Sequence, residues 1–349
     1  MKLLADINIK PLQPSITYTD KLLLAGSCFT EHIGNHLMDV KFRVLQNPNG
    51  ILFDPLSVCS SLVSYIHNKQ YTADDLFYLN ESWHSWQHHS CFSHPDQNEC
   101  LRMINESQTA AHQFIKDADW LIITLGSSFC YKLDANSRLS TMWREAGGKV
   151  TSPFSAGGEE PGMRVANCHK APAQTFIKHL CTIEETVTAL DGTIHQLFHF
   201  NKKLKIIFTI SPVRHLRDGV VENNRSKARL IEAVHHLVNK FNSLYYFPAY
   251  ELVIDVLRDY RFCDIDLAHP NYAATQFVLE KFSDHCFDDA AKKLSGEIKK
   301  IIIAANHKPF NPQSQQHKQF MQTHLEKAKQ LRQQYPFLDF SKEIEYFEG

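Results

Sequence analysis

Long apolar runs are what this 349-residue chain most lacks. No stretch reaches the roughly 18 uninterrupted apolar residues of a membrane span. The opening "MKLLADINIKPLQPS" is broken by Asp6 before it forms the apolar core of a secretory signal. A cytoplasmic protein with no membrane partner is therefore expected. An excess of either charge is missing too. The 37 Lys and Arg nearly balance 38 Asp and Glu, so no broad basic face is available to neutralise a phosphate backbone, and nucleic acid is not an expected partner. Paired-cysteine spacing is also absent. Nine Cys are scattered without a CxxC motif, which fits a reducing compartment and small buried thiols rather than a disulfide framework. Nor do the glycines of "AGGKV" and "GEEPGM" complete the Gly-x-x-x-x-Gly-Lys-Ser/Thr pattern of a phosphate loop, so no cofactor is expected.

What is present suffices to build a core. With 43% hydrophobic and 21% charged residues, the chain can form one large domain or two small ones. Runs rich in Ile, Leu and Val at Lys21–Ser27, Asp119–Ser128 and Leu204–Pro212 read as buried strands, with Leu244–Ala249 beside them. Helical spacing follows in "RSKARLIEAVHHLVNKF", where Leu230, Val234, Leu237 and Phe241 recur and Ser226 offers an N-cap. One or two helices are expected within Ala171–Asn201, and another in "NYAATQFVLEKFSDHCF". Strands alternating with helices predict an α/β fold, a three-layer helix-sheet-helix sandwich with a mainly parallel sheet. Ligands then bind at the carboxyl ends of the strands. The expected main domain covers 1–305, with a loop insertion near 71–98; residues 306–349 form a polar, partly helical extension packed on the core.

Chemistry concentrates in two stretches. In "LLLAGSCFTEHIG" an apolar run ends at Gly26-Ser27-Cys28-Phe29 and becomes helix-like, placing the Ser27 hydroxyl at a strand-to-helix turn. In "YRFCDIDLAHPNYAATQFV" Asp266 and His269 stand three apart before a helix. A catalytic imidazole needs a carboxylate to hold its tautomer while its other nitrogen faces the nucleophile, and one tight loop can supply both groups.

These residues resemble the GSCFA family of SGNH-hydrolase-like proteins, with Gly26-Ser27-Cys28-Phe29-Thr30 as the naming motif and Thr in place of the final Ala. The resemblance spans about residues 20–290 and implies an SGNH-hydrolase-like (flavodoxin-like) sandwich. It makes Ser27 the nucleophile, His269 the base and Asp266 its orienting partner. It also implies an oxyanion hole built from the Ser27 N–H, Gly50 and an asparagine. Gly126 is followed by Ser127 and Ser128 where the family pattern would have that asparagine, so Asn167 is the nearest match. The family stretches "NCHK" and "TISPVRH" add His169, Arg214 and His215, with Gly126, as residues expected to touch substrate. The function implied is a serine esterase or acyltransferase working through an acyl-serine, with a small-molecule or carbohydrate ester, first an O-acetylated sugar, as substrate. The alternative is a carbohydrate-binding or scaffold protein of weak activity. The oligomeric state is left open.

Plainer readings stand beside these. Ser27 can be a turn residue, and Asp266 and His269 a helix-entry cap and a surface histidine. Cys28 is expected to point into the protein as a buried thiol. His84, His88, His89 and His94 have no His-Glu-x-x-His pattern, so no metal site is expected there; with Trp83 and Trp86 they read as an exposed or substrate-lining loop.

Overall fold

The computed structural model describes residues 5–145, 147–148 and 163–349. Residues 1–4 of the amino-terminal stretch, and most of the glycine-bearing stretches "AGGKV" and "GEEPGM", lie outside the described residues.

The chain runs β1 (Lys21–Gly26), α1 (Cys28–Asp39), β2 (Arg43–Gln46), α2 (Pro55–His67), β3 (Leu76–Leu79), β4 (Ser82–Ser85), α3 (Gln97–Asp117), β5 (Trp120–Leu125), β6 (Phe129–Leu133) and α4 (Arg138–Glu145). It continues through β7 (Arg164–Val165), β8 (Phe176–Leu180), α5 (Ile183–Phe200), β9 (Lys205–Ile210), α6 (Val220–Lys240), β10 (Leu244–Tyr246) and the short α7 (Ala249–Glu251). The last elements are α8 (Tyr272–Cys286), α9 (Asp289–Ala305), α10 (Gln315–Gln334) and α11 (Ser341–Glu348).

Five strands pair in parallel in the order β10-β9-β5-β1-β2. Alternation along each strand explains the layers, because successive side chains leave opposite faces. Leu22, Leu24, Trp120, Ile122 and Ile207 pack with α1, α8, α9 and the carboxyl-terminal helices. Their neighbours Leu23, Ala25, Leu121, Ile123 and Phe208 pack with α2, α3, α5 and α6. With both faces covered, the strands read as unbroken apolar runs. The result is a mixed α/β fold with a mainly parallel central sheet and flanking helices, consistent with a three-layer sandwich.

Several local expectations are corrected. The 71–98 segment is no open loop: β3 and β4 form a hairpin whose two-residue turn, Asn80-Glu81, has φ of 49° and 61°, the left-handed values such turns require. Its Trp86, His84 and His88 are buried, Trp86 stacking on Phe77 at 3.6 Å. Ser226 is not an N-cap; it lies inside α6, buried, and donates or accepts hydrogen bonds with Ser127 and Ser128. The 171–201 stretch holds one α-helix, α5, and a strand, β8, which pairs antiparallel with β6.

The tail packs on the core. Leu325, Ala328, Leu331, Phe340, Ile344 and Phe347 join the α1-side cluster. At the far end of α1, Lys41 pairs with Glu343 at 2.9 Å and sits over the Phe340 ring.

Candidate active site

Ser27 stands at the carboxyl end of β1. Gly26 before it has φ +142°, and a Cβ there would lie 2.1 Å from the Thr124 carbonyl oxygen, so only glycine lets β1 approach β5 this closely. Ser27 donates its N–H to that same oxygen at 3.0 Å. It is the N-cap of α1 with extended backbone (φ −72°, ψ 176°), yet its hydroxyl makes no capping bond. The Oγ is buried and has no hydrogen-bond partner, an uncommon state for a polar atom inside a protein. Thr124 and Thr209, near the carboxyl ends of β5 and β9, have partnerless buried hydroxyls as well. Gly126 makes room for the serine: a Cβ on it would lie 3.1 Å from Ser27 Cβ and 3.3 Å from Phe53 Cδ1.

Asp266 and His269 come together on the loop before α8. Asp266 Oδ2 accepts from His269 Nδ1 at 2.5 Å, while Oδ1 accepts the backbone N–H groups of Ala268 and His269 at 2.9 and 3.0 Å. Those two backbone bonds, then the imidazole, pull the Asp266 carboxyl down to about 2. An ionised Asp266 fixes the proton on Nδ1 and leaves Nε2 free to accept one. Arg214, just beyond β9, anchors this loop: its N–H donates to Ala268 O at 3.1 Å and its Nη1 to Leu267 O at 3.3 Å. Both groups thus belong to the carboxyl edge of the sheet, though no hydrogen bond joins them: Ser27 Oγ is buried and His269 is half exposed. Beside the loop, a 330 Å³ groove opens between α1 and the start of α8, lined by His32, His36, Asp264, Asn271, Tyr272 and Gln276.

Behind the Gly126 turn lies Lys227 of α6, a residue that belongs to no motif. Its Nζ donates to Gly126 O and Ser211 O, each at 2.6 Å. Complete burial pushes its ammonium down to about 7, with Cys28 acting slightly in the opposite direction. A sequence signal existed: Asn223, Lys227, Leu230, Val234 and Leu237 recur every three or four residues, so the lysine occupies the buried stripe of its helix. His215 donates from Nε2 to the same Gly126 carbonyl at 3.0 Å and meets Phe53 edge-on. Burial, then Lys227, lowers its imidazole from the ordinary range.

Of the remaining expected residues, Gly126 and His215 sit against Ser27 or its turn, whereas Arg214 serves the His269 loop. Gly50 has φ +75° and spends its N–H on Asn47 O at 2.7 Å. Asn167 accepts the His169 N–H on its Oδ1 at 2.8 Å, closing a turn beneath Trp86. His169 is buried, donating from Nε2 to Ser85 O at 2.8 Å and packing against His84 and Phe77. Cys28 is partly exposed, whereas Ser27 is 1% exposed. Its thiol is raised by burial, against the opposing Phe29 N–H and Lys227, and so stays protonated.

The GSCFA family model matches residues 21–151 and 158–282, a span holding Ser27, Lys227, Asp266 and His269. The chain belongs to the GSCFA family. The model of the carboxyl-terminal domain of GSCFA domain proteins matches 298–349, from the second half of α9 through α10 and α11. Comparison with curated proteins finds no match. Within this GSCFA chain the naming motif is the β1–α1 junction itself: a Cβ on its glycine would meet Thr124 O, and its serine donates its N–H to that oxygen.

Proposed function

We propose that this GSCFA protein is a serine esterase or acyltransferase of SGNH type, with Ser27 as nucleophile and His269 as base. The observation that carries this reading is Ser27 Oγ, a buried hydroxyl with no partner at an N-cap position, on the sheet edge where an aspartate-held imidazole also lies. A serine that merely capped α1 would direct its oxygen to an N–H of the first turn. In the reaction, His269 Nε2 takes the Ser27 proton as Oγ attacks the ester carbonyl carbon. The tetrahedral intermediate collapses, the leaving alcohol takes the proton from His269, and an acyl-serine remains. Water or an acceptor alcohol then releases the acyl group by the same steps in reverse. Lys227, held behind the Gly126 turn, places positive charge near the developing oxyanion. An O-acetylated carbohydrate is the substrate of first choice. The buried Oγ and half-exposed His269 require the 264–269 loop and Phe53 to rearrange around the substrate.

One observation favours a second reading, a carbohydrate-binding or scaffold protein of weak activity. The N–H groups of Ser27 and Gly50 both donate to backbone carbonyls, which leaves neither aimed at an oxyanion. Turnover of p-nitrophenyl acetate, and labelling by a serine-directed fluorophosphonate, decide between the two. The enzyme reading expects both signals in wild type and neither in Ser27→Ala. Equal rates in the two proteins, with no label on Ser27, leave the binding protein.

A further inference from the structure

We propose that Cys130, His179, Cys181 and Glu185 form a zinc site that ties the β6–β8 ladder to the start of α5. This site stands apart from Ser27 and does not depend on the esterase reading. Cys130 and His179 are direct cross-strand partners in the antiparallel β6–β8 pair, so their side chains share one face. Cys181, two residues after His179, follows on that face. Its Sγ lies 3.2 Å from Cys130 Sγ. His179 Nε2 lies 2.8 Å from Glu185 Oε2, and the donor atoms of His179, Cys181 and Glu185 are all within 4.8 Å of one another.

Two sulfurs, an imidazole nitrogen and a carboxylate oxygen are a donor set suited to a borderline-soft, tetrahedral cation. With bonds of about 2.0–2.3 Å, a tetrahedral zinc holds its ligand atoms roughly 3.3–3.8 Å apart. The Cys130 thiol lies outside that 4.8 Å group, against Cys181 Sγ, and would complete the set by rotating toward it. The thiols are buried while His179 and Glu185 face solvent, which gives the ion a way in. Binding releases the two thiol protons to water, with no change of oxidation state. Two thiolates and a carboxylate around a divalent cation leave one net negative charge. Arg229, donating from Nη1 to the carbonyls of Leu180 and Cys181 at 2.8 Å each, supplies the compensating one. The Cys181 N–H donates to Ser128 O at 2.9 Å, so the ion would also stiffen the strand leaving the Gly126 turn.

Glu185 already has a structural task, as the third residue of the α5 capping box with Thr182. Glutamine performs that task equally well, which separates the two roles. The test is titration of the reduced, chelator-stripped full chain with Co2+. We expect one ion per chain, a thiolate-to-cobalt charge-transfer band, tetrahedral visible absorption, and displacement by Zn2+. Cys181→Ser removes the charge-transfer band. Glu185→Gln and His179→Ala, at exposed positions, weaken Co2+ binding, and Glu185→Gln leaves the melting temperature of the metal-free chain unchanged. Absence of the charge-transfer band in reduced wild type overturns the proposal, as does Co2+ affinity unaltered by both surface substitutions.

Discussion

Lys227 Nζ donates a 2.6 Å hydrogen bond to the carbonyl oxygen of Gly126, the residue whose missing side chain leaves space for Ser27. A buried ammonium is thereby joined through one peptide group to the candidate nucleophile.

Because the folded chain holds Lys227 near 7 and the unfolded chain near 10.5, the unfolded state binds more protons between these values. Its contribution to stability is fully present above about pH 10.5 and is lost as pH falls through 7. Lys227→Met should remove this slope. Urea unfolding at several pH values should show the variant gaining on wild type by up to about 4 kcal/mol toward pH 7. Turnover should move oppositely, kcat falling with little change in KM.

Ser27→Ala should abolish esterase turnover and fluorophosphonate labelling, whereas Cys28→Ala should retain most of both, since the Cys28 thiol is protonated. The reverse pattern would make the cysteine the nucleophile.

His269→Ala should lower kcat/KM by about 10²–10⁴-fold, the usual worth of a general base. Asp266→Asn should also lower it, by freeing the imidazole to take the other tautomer. With Asp266 ionised above about 2, its own protonation should leave no mark on the pH–rate profile at milder acidity.

Acid should destabilise the accessory hairpin. Burial lowers His88 to about 3 and His169 to about 4, so both fold as neutral imidazoles. Their contribution is complete above about 6.5 and is lost as pH falls toward those values. Thermal melts should show a falling midpoint across that window, and His169→Phe should shallow the fall.

Gly26→Ala should cost about 3 kcal/mol or more in denaturant unfolding, because the new Cβ meets Thr124 O and the φ is strained for any L side chain.

The three central strands β1, β5 and β9, buried on both faces, are legible as apolar runs, and Asp266–His269 is legible because a three-residue spacing brings the groups together without help from the rest of the chain. Elements set by distant partners escape. β2, "RVLQ", is a short half-exposed edge. β8, "FIKHL", carries its alternation straight into a helix and is stabilised by β6 far upstream. The hairpin turn is Asn-Glu rather than the Asn-Gly that announces such turns. Which N–H groups remain free for an oxyanion is equally invisible, since it depends on carbonyls of other segments: Thr124 for Ser27, Asn47 for Gly50. The second thiol of the cluster on α5 comes from 51 residues upstream, beyond the reach of any spacing motif.

The Lys41–Glu343 pair gives the two family-matched segments a shared foundation. α1 carries Ser27 at one end and, just past the other, is clamped by the last helix of the chain. The tail is thereby fastened beside the end of the helix remote from the hydroxyl.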